Sequence, residues 1–165
     1  MALEPQKPEI EVVSGQAEFL LRASALVASA KIEIALFSQG LDRRTYSSED
    51  FIAPLQTFLL SHQRARLRVL VPTPSAAMRT GHRLIELGRR LSSRIEFREL
   101  LPERQLIRKE FLIIDESALL LRDSPDQLEA RFYAHAPLLA RDQKREFDTW
   151  WQESPPAAEF RDLKL

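Results

Sequence analysis

Apolar residues recur along this chain with two alternating periods, and the changes of period mark out the elements. From about 15 to 30, Phe19, Leu20, Ala23, Leu26, Val27 and Ala30 return at helical spacing, with Ser14 the expected N-cap and Glu18 four residues on. KIEIALF at 31–37 sets Ile32, Ile34 and Leu36 against Lys31 and Glu33, which predicts a strand. The polar stretch 38–50 reads as a loop, long for a connection and so a candidate functional surface. A helix is expected from Asp50 or Phe51 to about Gln63, with Ile52, Leu55, Leu59 and Leu60 inward and Pro54 near its first turn. LRVLV at 67–71 has the near-continuous apolar character of a strand buried on both faces.

Beyond Pro72 and Pro74, residues 76–91 predict a helix with Leu84, Leu87 and Leu91 on one face, and RIEFREL at 94–100 a strand. EFLIID at 110–115 and ALLLRD at 118–123, separated by Glu116 and Ser117, predict a tight hairpin. Residues 129–136 read as a further strand. Pro137 at the first helical position opens a last helix through Trp151. Trp150 and Trp151 are adjacent, so one is expected inside and the other at an edge or interface. This order predicts an α/β domain over 14–153, a mixed β-sheet flanked by helices on both faces. An N-terminal tail at 1–13 and a C-terminal tail at 154–165, carrying a short docking segment, are expected to flank it.

Composition narrows the function classes. Lys plus Arg and Asp plus Glu are 24 each, so no global field draws nucleic acid or an anionic membrane to the chain. Local basic patches remain open, because most of the cations are arginine. With no cysteine there is neither disulfide nor thiolate metal site, which suits a reducing compartment. The first residues lack the apolar core of a signal peptide, and no stretch approaches the roughly 18 apolar residues of a membrane span. A soluble cytoplasmic protein without a membrane partner is expected. HExxH, paired CxxC, an EF-hand loop, GxxxxGK[ST] and GxGxxG are all missing, so neither metal nor cofactor is expected.

The informative stretch is RKEFLIID, Arg108 to Asp115. It resembles the motif of the phospholipase D family: His-x-Lys, four mostly apolar residues, then Asp. Arg108 stands where the His would be, Glu110 where the Lys would be, FLII matches the apolar run, and Asp115 matches the Asp. FDTWW at 147–151 resembles that family's aromatic final helix. The resemblance covers about 14–153 and implies one half of a phospholipase D-like fold. In the family, His attacks phosphorus and Lys stabilises the transition-state oxygens. A guanidinium stays protonated and cannot attack, and a carboxylate at 110 repels the phosphate a lysine would stabilise. The family's Gly-Ser and Asn elements are also missing, and the chain has no Asn. Arg108 and Glu110, on one face of a strand, are expected to pair with each other. Asp115 is expected to fix the turn or orient a histidine. Because active members unite two motif-bearing halves, the resemblance also implies a homodimer with the Arg108 strand near the two-fold axis.

Three expectations follow. The first is a non-catalytic phospholipase D-like domain acting as a binding or regulatory module. The second is a nucleic-acid- or phosphate-binding module built on three arginine groups: Arg43 and Arg44; Arg64, Arg66 and Arg68; Arg89, Arg90 and Arg94. Arg43, Arg44, Arg108 and His135 are the candidate anion-binding residues. The third is a phosphodiesterase using His135 with Asp115 or Asp42. Of the other histidines, His62 is expected at a helix end and His82, between Arg79 and Arg83, on a solvated helix face.

Overall fold

The computed structural model describes residues 7–72, 74 and 80–161. Its seven-stranded sheet runs in the order β1-β7-β6-β5-β2-β3-β4, formed by β1 (Glu11–Ser14), β2 (Glu33–Phe37), β3 (Arg66–Val71), β4 (Ile95–Glu99), β5 (Glu110–Ile114), β6 (Ala118–Arg122) and β7 (Glu129–Tyr133). β2, β3 and β4 are parallel, and the other pairings are antiparallel. The helices are α1 (Gln16–Ser29), α2 (Arg43–Tyr46), α3 (Glu49–Leu59), α4 (Arg83–Arg90), α5 (Pro137–Glu153) and α6 (Ala158–Arg161). The expected mixed sheet with helices on both faces is the observed architecture.

β5 shows why EFLII carries no alternation of its own. Leu112 and Ile114 join the core under α1, α3 and α4, while Phe111 and Ile113 join a second core under α5. A strand covered on both faces has no solvent side to record in polar residues. The β5–β6 hairpin turns one residue earlier than expected, because Asp115 and Glu116 both have φ of 53°. Positive φ at both central residues is what a type I′ turn requires. The Asp115 carboxylate accepts the backbone N–H groups of Lys31, Ile32 and Glu33, each at 2.8 Å. It thus fastens the hairpin to the start of β2.

Several local expectations are corrected. Residues 11–13, placed in the N-terminal tail, form the edge strand β1 against β7, a strand too short and half exposed to announce itself. The N-cap of α1 is Gly15 at φ 87°, a conformation glycine adopts without strain. Ser14 instead donates its N–H to Glu18 at 2.9 Å. The 38–50 loop contains α2 and the start of α3, capped by Asp42 and Ser48. Leu60, expected inward, is 57% exposed because α3 ends at Leu59 and Phe58 takes the buried position. Of the helix expected over 76–91, residues 76–79 lie outside the described residues, and α4 starts at Arg83.

Both tryptophans are buried. Trp150 packs on Phe37 and Phe111, whereas Trp151 stacks on Phe147 and is covered by the Arg98 and Arg68 guanidiniums, 4.4 and 5.5 Å from its ring centroid. Cations closing an aromatic face let two adjacent indoles share one helix side. After α5 the chain returns along the outer edge of β4. There Glu99 N–H donates to Pro155 O and Ala157 N–H to Phe97 O, both at 2.9 Å, and Phe160 docks edge-on against Phe97. The segment expected to dock in the 154–165 tail therefore covers a sheet edge that would otherwise be open.

Candidate functional site

Glu110 opens β5 on the α1 side of the sheet, and the hairpin register places Arg122 of β6 directly across from it. The Glu110 side chain is almost wholly buried. Its Oε1 accepts Arg122 Nε at 3.0 Å and also Arg122 Nη2, while Oε2 accepts the Tyr46 hydroxyl at 2.9 Å and the Ser38 hydroxyl at 3.2 Å. Arg122 is held in turn by Gln127 O at 3.1 Å and by the Phe19 ring, 4.4 Å from its guanidinium carbon. A carboxylate with four donors and a cation in contact is neutralised where it stands. Burial, with the Glu110 charge beside it, pushes the Tyr46 hydroxyl well above the ordinary phenol value. It therefore stays protonated and remains a donor.

Arg108 is not the partner of Glu110. β5 begins at Glu110, so Arg108 precedes the strand and is not bound by its alternation. Its guanidinium is more than half exposed and lies 3.6 Å from Asp126. Arg122, Tyr46 and Ser38, the actual partners, carry no motif signature. The turn expected at Glu116 and Ser117 would set Asp123 opposite Glu110, so it is the observed register that brings Arg122 there.

The network extends sideways. The Ser38 hydroxyl accepts Leu41 N–H at 3.0 Å, and Leu41, buried with φ of 47°, offers its carbonyl to His82 Nε2 at 2.8 Å. His82 Nδ1 accepts Leu84 N–H at 3.2 Å and caps α4. His82 is thus fully buried, not on a solvated helix face as expected. Both ring nitrogens are satisfied only in the neutral form protonated at Nε2. Burial pushes its pKa below the ordinary imidazole value.

The four candidate anion-binding residues do not form one site. Arg43 and Arg44 lie on α2, at the Glu110 end of the sheet. Arg44 pairs with Asp42 at 2.8 Å, and that hydrogen-bonded guanidinium holds the Asp42 carboxyl below its usual range. Arg43 donates to Thr80 O. His135 is at the opposite end, following β7, with Nδ1 3.2 Å from Ser117 Oγ. Asp115, which shares that end, is occupied by three backbone N–H groups, and Asp42 is at the other. Among the described residues, no hydrogen bond joins His135 to either carboxylate. Arg68 turns under α5, where it bonds Asp148 at 2.8 Å. His62 follows α3, with Nε2 2.5 Å from Lys31 O.

The fold is similar to that of the archaeal chromatin protein TrmBL2, at a TM-score of 0.68 and 16% identity over 94% of this chain and 57% of that one. Nuc, a phospholipase D family member from Salmonella typhimurium, matches at 0.60 and 16% identity over 91% and 98% of the two chains. NucT from Helicobacter pylori matches at 0.66 and 8% over 91% and 99%. The chain therefore has the fold of phospholipase D family members, and it spans little more than half the length of TrmBL2. Residues 15–163 match the model of the DUF7931 family, a domain of unknown function, and the chain belongs to that family. No curated protein matches it in sequence.

Two outcomes are expected from this network. Glu110→Ala, which leaves the Arg122 charge buried and unpaired, should lower the unfolding free energy by about 3–5 kcal/mol. The double replacement Glu110→Met, Arg122→Leu should restore the part of that loss due to the unpaired charge but not the part due to the Tyr46 and Ser38 hydroxyls, which still lack their acceptor; urea titration of the single and double variants checks both. For His82, the unfolded chain binds its proton first as pH falls, because its unfolded pKa of about 6.5 is the higher one. Its contribution to stability should be complete above that pH and decline as pH drops toward the folded value. His82→Asn, which keeps a capping acceptor, should flatten this decline in melts between about pH 7 and 5.

Proposed function

We propose that this chain is a non-catalytic phospholipase D-fold domain that acts by binding a partner, with a degenerate motif at Arg108, Glu110 and Asp115. Glu110 carries the proposal. At the position where the resemblance places the phosphate-stabilising lysine stands a buried carboxylate, already saturated by Arg122, Tyr46 and Ser38. It offers no cation to a transition state and no unoccupied oxygen to a proton. Arg108, in the nucleophile's place, remains cationic at any physiological pH. Asp115 has a role that needs no chemistry, fastening the hairpin to β2.

TrmBL2, whose DNA binding is described as a novel mode, supports the view that this fold serves binding. The two-halves logic of the family supports a homodimer. Among the described residues no helix is long and apolar enough to cross a membrane.

The purified chain should leave bis(p-nitrophenyl) phosphate intact. Hydrolysis that disappears in an Arg108→Ala or Glu110→Gln variant would refute the proposal. Glu110→Lys, which recreates the family's lysine, should not create activity and should destabilise the fold, because its ammonium would face Arg122 in a buried site. Light scattering on a size-exclusion column should read twice the 19.0 kDa chain mass, and a reading of one chain mass would remove the homodimer.

A further inference from the structure

The end of the sheet away from Glu110 gathers cations that have no carboxylate partner among the described residues. Arg66 starts β3 beside β2, and Leu67 N–H donates to Arg94 O at 2.9 Å, so Arg66 and Arg94 meet where the parallel strands begin. The turn after α3 arrives at the same place. Arg64 N–H donates to His62 Nδ1 at 3.1 Å, and His62 Nε2 lies against Lys31 O. Lys31, Arg64, Arg66 and Arg94 thus come from three loops into one cluster around His62.

Two of its guanidiniums are fixed by main chain. Arg66 Nη1 donates to Gln63 O at 2.7 Å and Ala65 O at 2.9 Å, and Arg94 Nη1 donates to Leu59 O at 2.7 Å and to His62 O. The rest of each fork has no hydrogen bond among the described residues. Of the nearby acids, Glu33 and Glu116 hold Lys144 at 3.0 and 2.6 Å, while Asp115, bonded by backbone N–H groups, keeps its negative charge beside the four cations. In a chain of zero net charge this is a local segregation of positive potential.

We infer that this end of the sheet is a docking surface for the phosphodiester backbone of a nucleic acid, a site that rests on the proposed binding role and lies opposite the motif. Guanidinium forks match phosphate oxygens two at a time, and forks already positioned by carbonyls lose little freedom on binding. The chemistry fits a membrane less well. Anionic bilayers are met by basic surfaces with inserting aromatic or broad apolar faces. Here the exposed apolar neighbours in these loops are two aliphatic residues, Ile32 and Leu60.

The test is fluorescence anisotropy of labelled random-sequence DNA duplex and RNA at about 50 and about 200 mM salt. The variants are Arg64→Gln with Arg66→Gln, and, at the motif end, Arg44→Gln with Arg108→Gln. Both pairs are exposed enough for circular dichroism to show an unchanged fold. The first pair should weaken binding about tenfold at low salt and lower the slope of log K against log salt by about 2, while the second should bind as the parent does. Loss of binding only in the Arg44 and Arg108 pair would overturn the inference and leave the binding role standing. So would sedimentation with phosphatidylglycerol vesicles in place of nucleic-acid binding. Failure to bind either oligonucleotide at low salt would also overturn it. Hydrolysis of bis(p-nitrophenyl) phosphate, by contrast, strikes only at the binding role.

Discussion

A carboxylate buried in the middle of a sheet costs several kcal/mol unless its charge is met where it sits. Glu110 meets that condition from three directions: Arg122 from the neighbouring strand, Tyr46 from α2 and Ser38 from the end of β2. Each partner needs its own element in register. A slip of one residue in the β5–β6 hairpin would turn Arg122 to the α5 face and leave Glu110 unpaired. The same carboxylate therefore specifies strand register, the position of α2 and, through Ser38 and Leu41, the seat of His82 at the start of α4.

The two ends of the sheet differ in kind. At the Glu110 end the buried carboxylate is paired across strands with Arg122, and the backbone at Leu41 is tied to the buried Ser38 and His82 side chains. At the other end, Asp115 ties the hairpin to β2 and the arginines are anchored on carbonyls, which neutralise no charge. Function resides in the sites a fold carries and not in the fold itself, so one rigid sheet can present a different surface at each end.

Much of the architecture is legible in the sequence because burial and helix starts leave local marks. LRVLV reads as a doubly covered strand because its solvent-facing positions have gone. Pro137 marks the start of α5 because its missing N–H falls on a group that has no helical partner there. The misreadings were local. β1 carries a single buried residue, Val13, too little for a pattern. The N-cap moved from Ser14 to Gly15 because the chain turns out of an edge strand there. The hairpin shifted because Asp115, read as a motif residue, is also the first residue of the turn.

The sequence by itself determined the α/β order, the flat charge balance and the presence of arginine at 108 and glutamate at 110, since each of these is written in residue types and short spacings. What Glu110 does was decided by tertiary structure alone. Residues two apart share a face only if both lie in the strand, and Arg108 does not. The partners of Glu110 stand 12, 64 and 72 residues away, at distances no local periodicity encodes. The same holds for the arginines: only the meeting of β3, β4 and the turn after α3 separates Arg64, Arg66 and Arg94 from Arg43 and Arg44 and gathers them at one end.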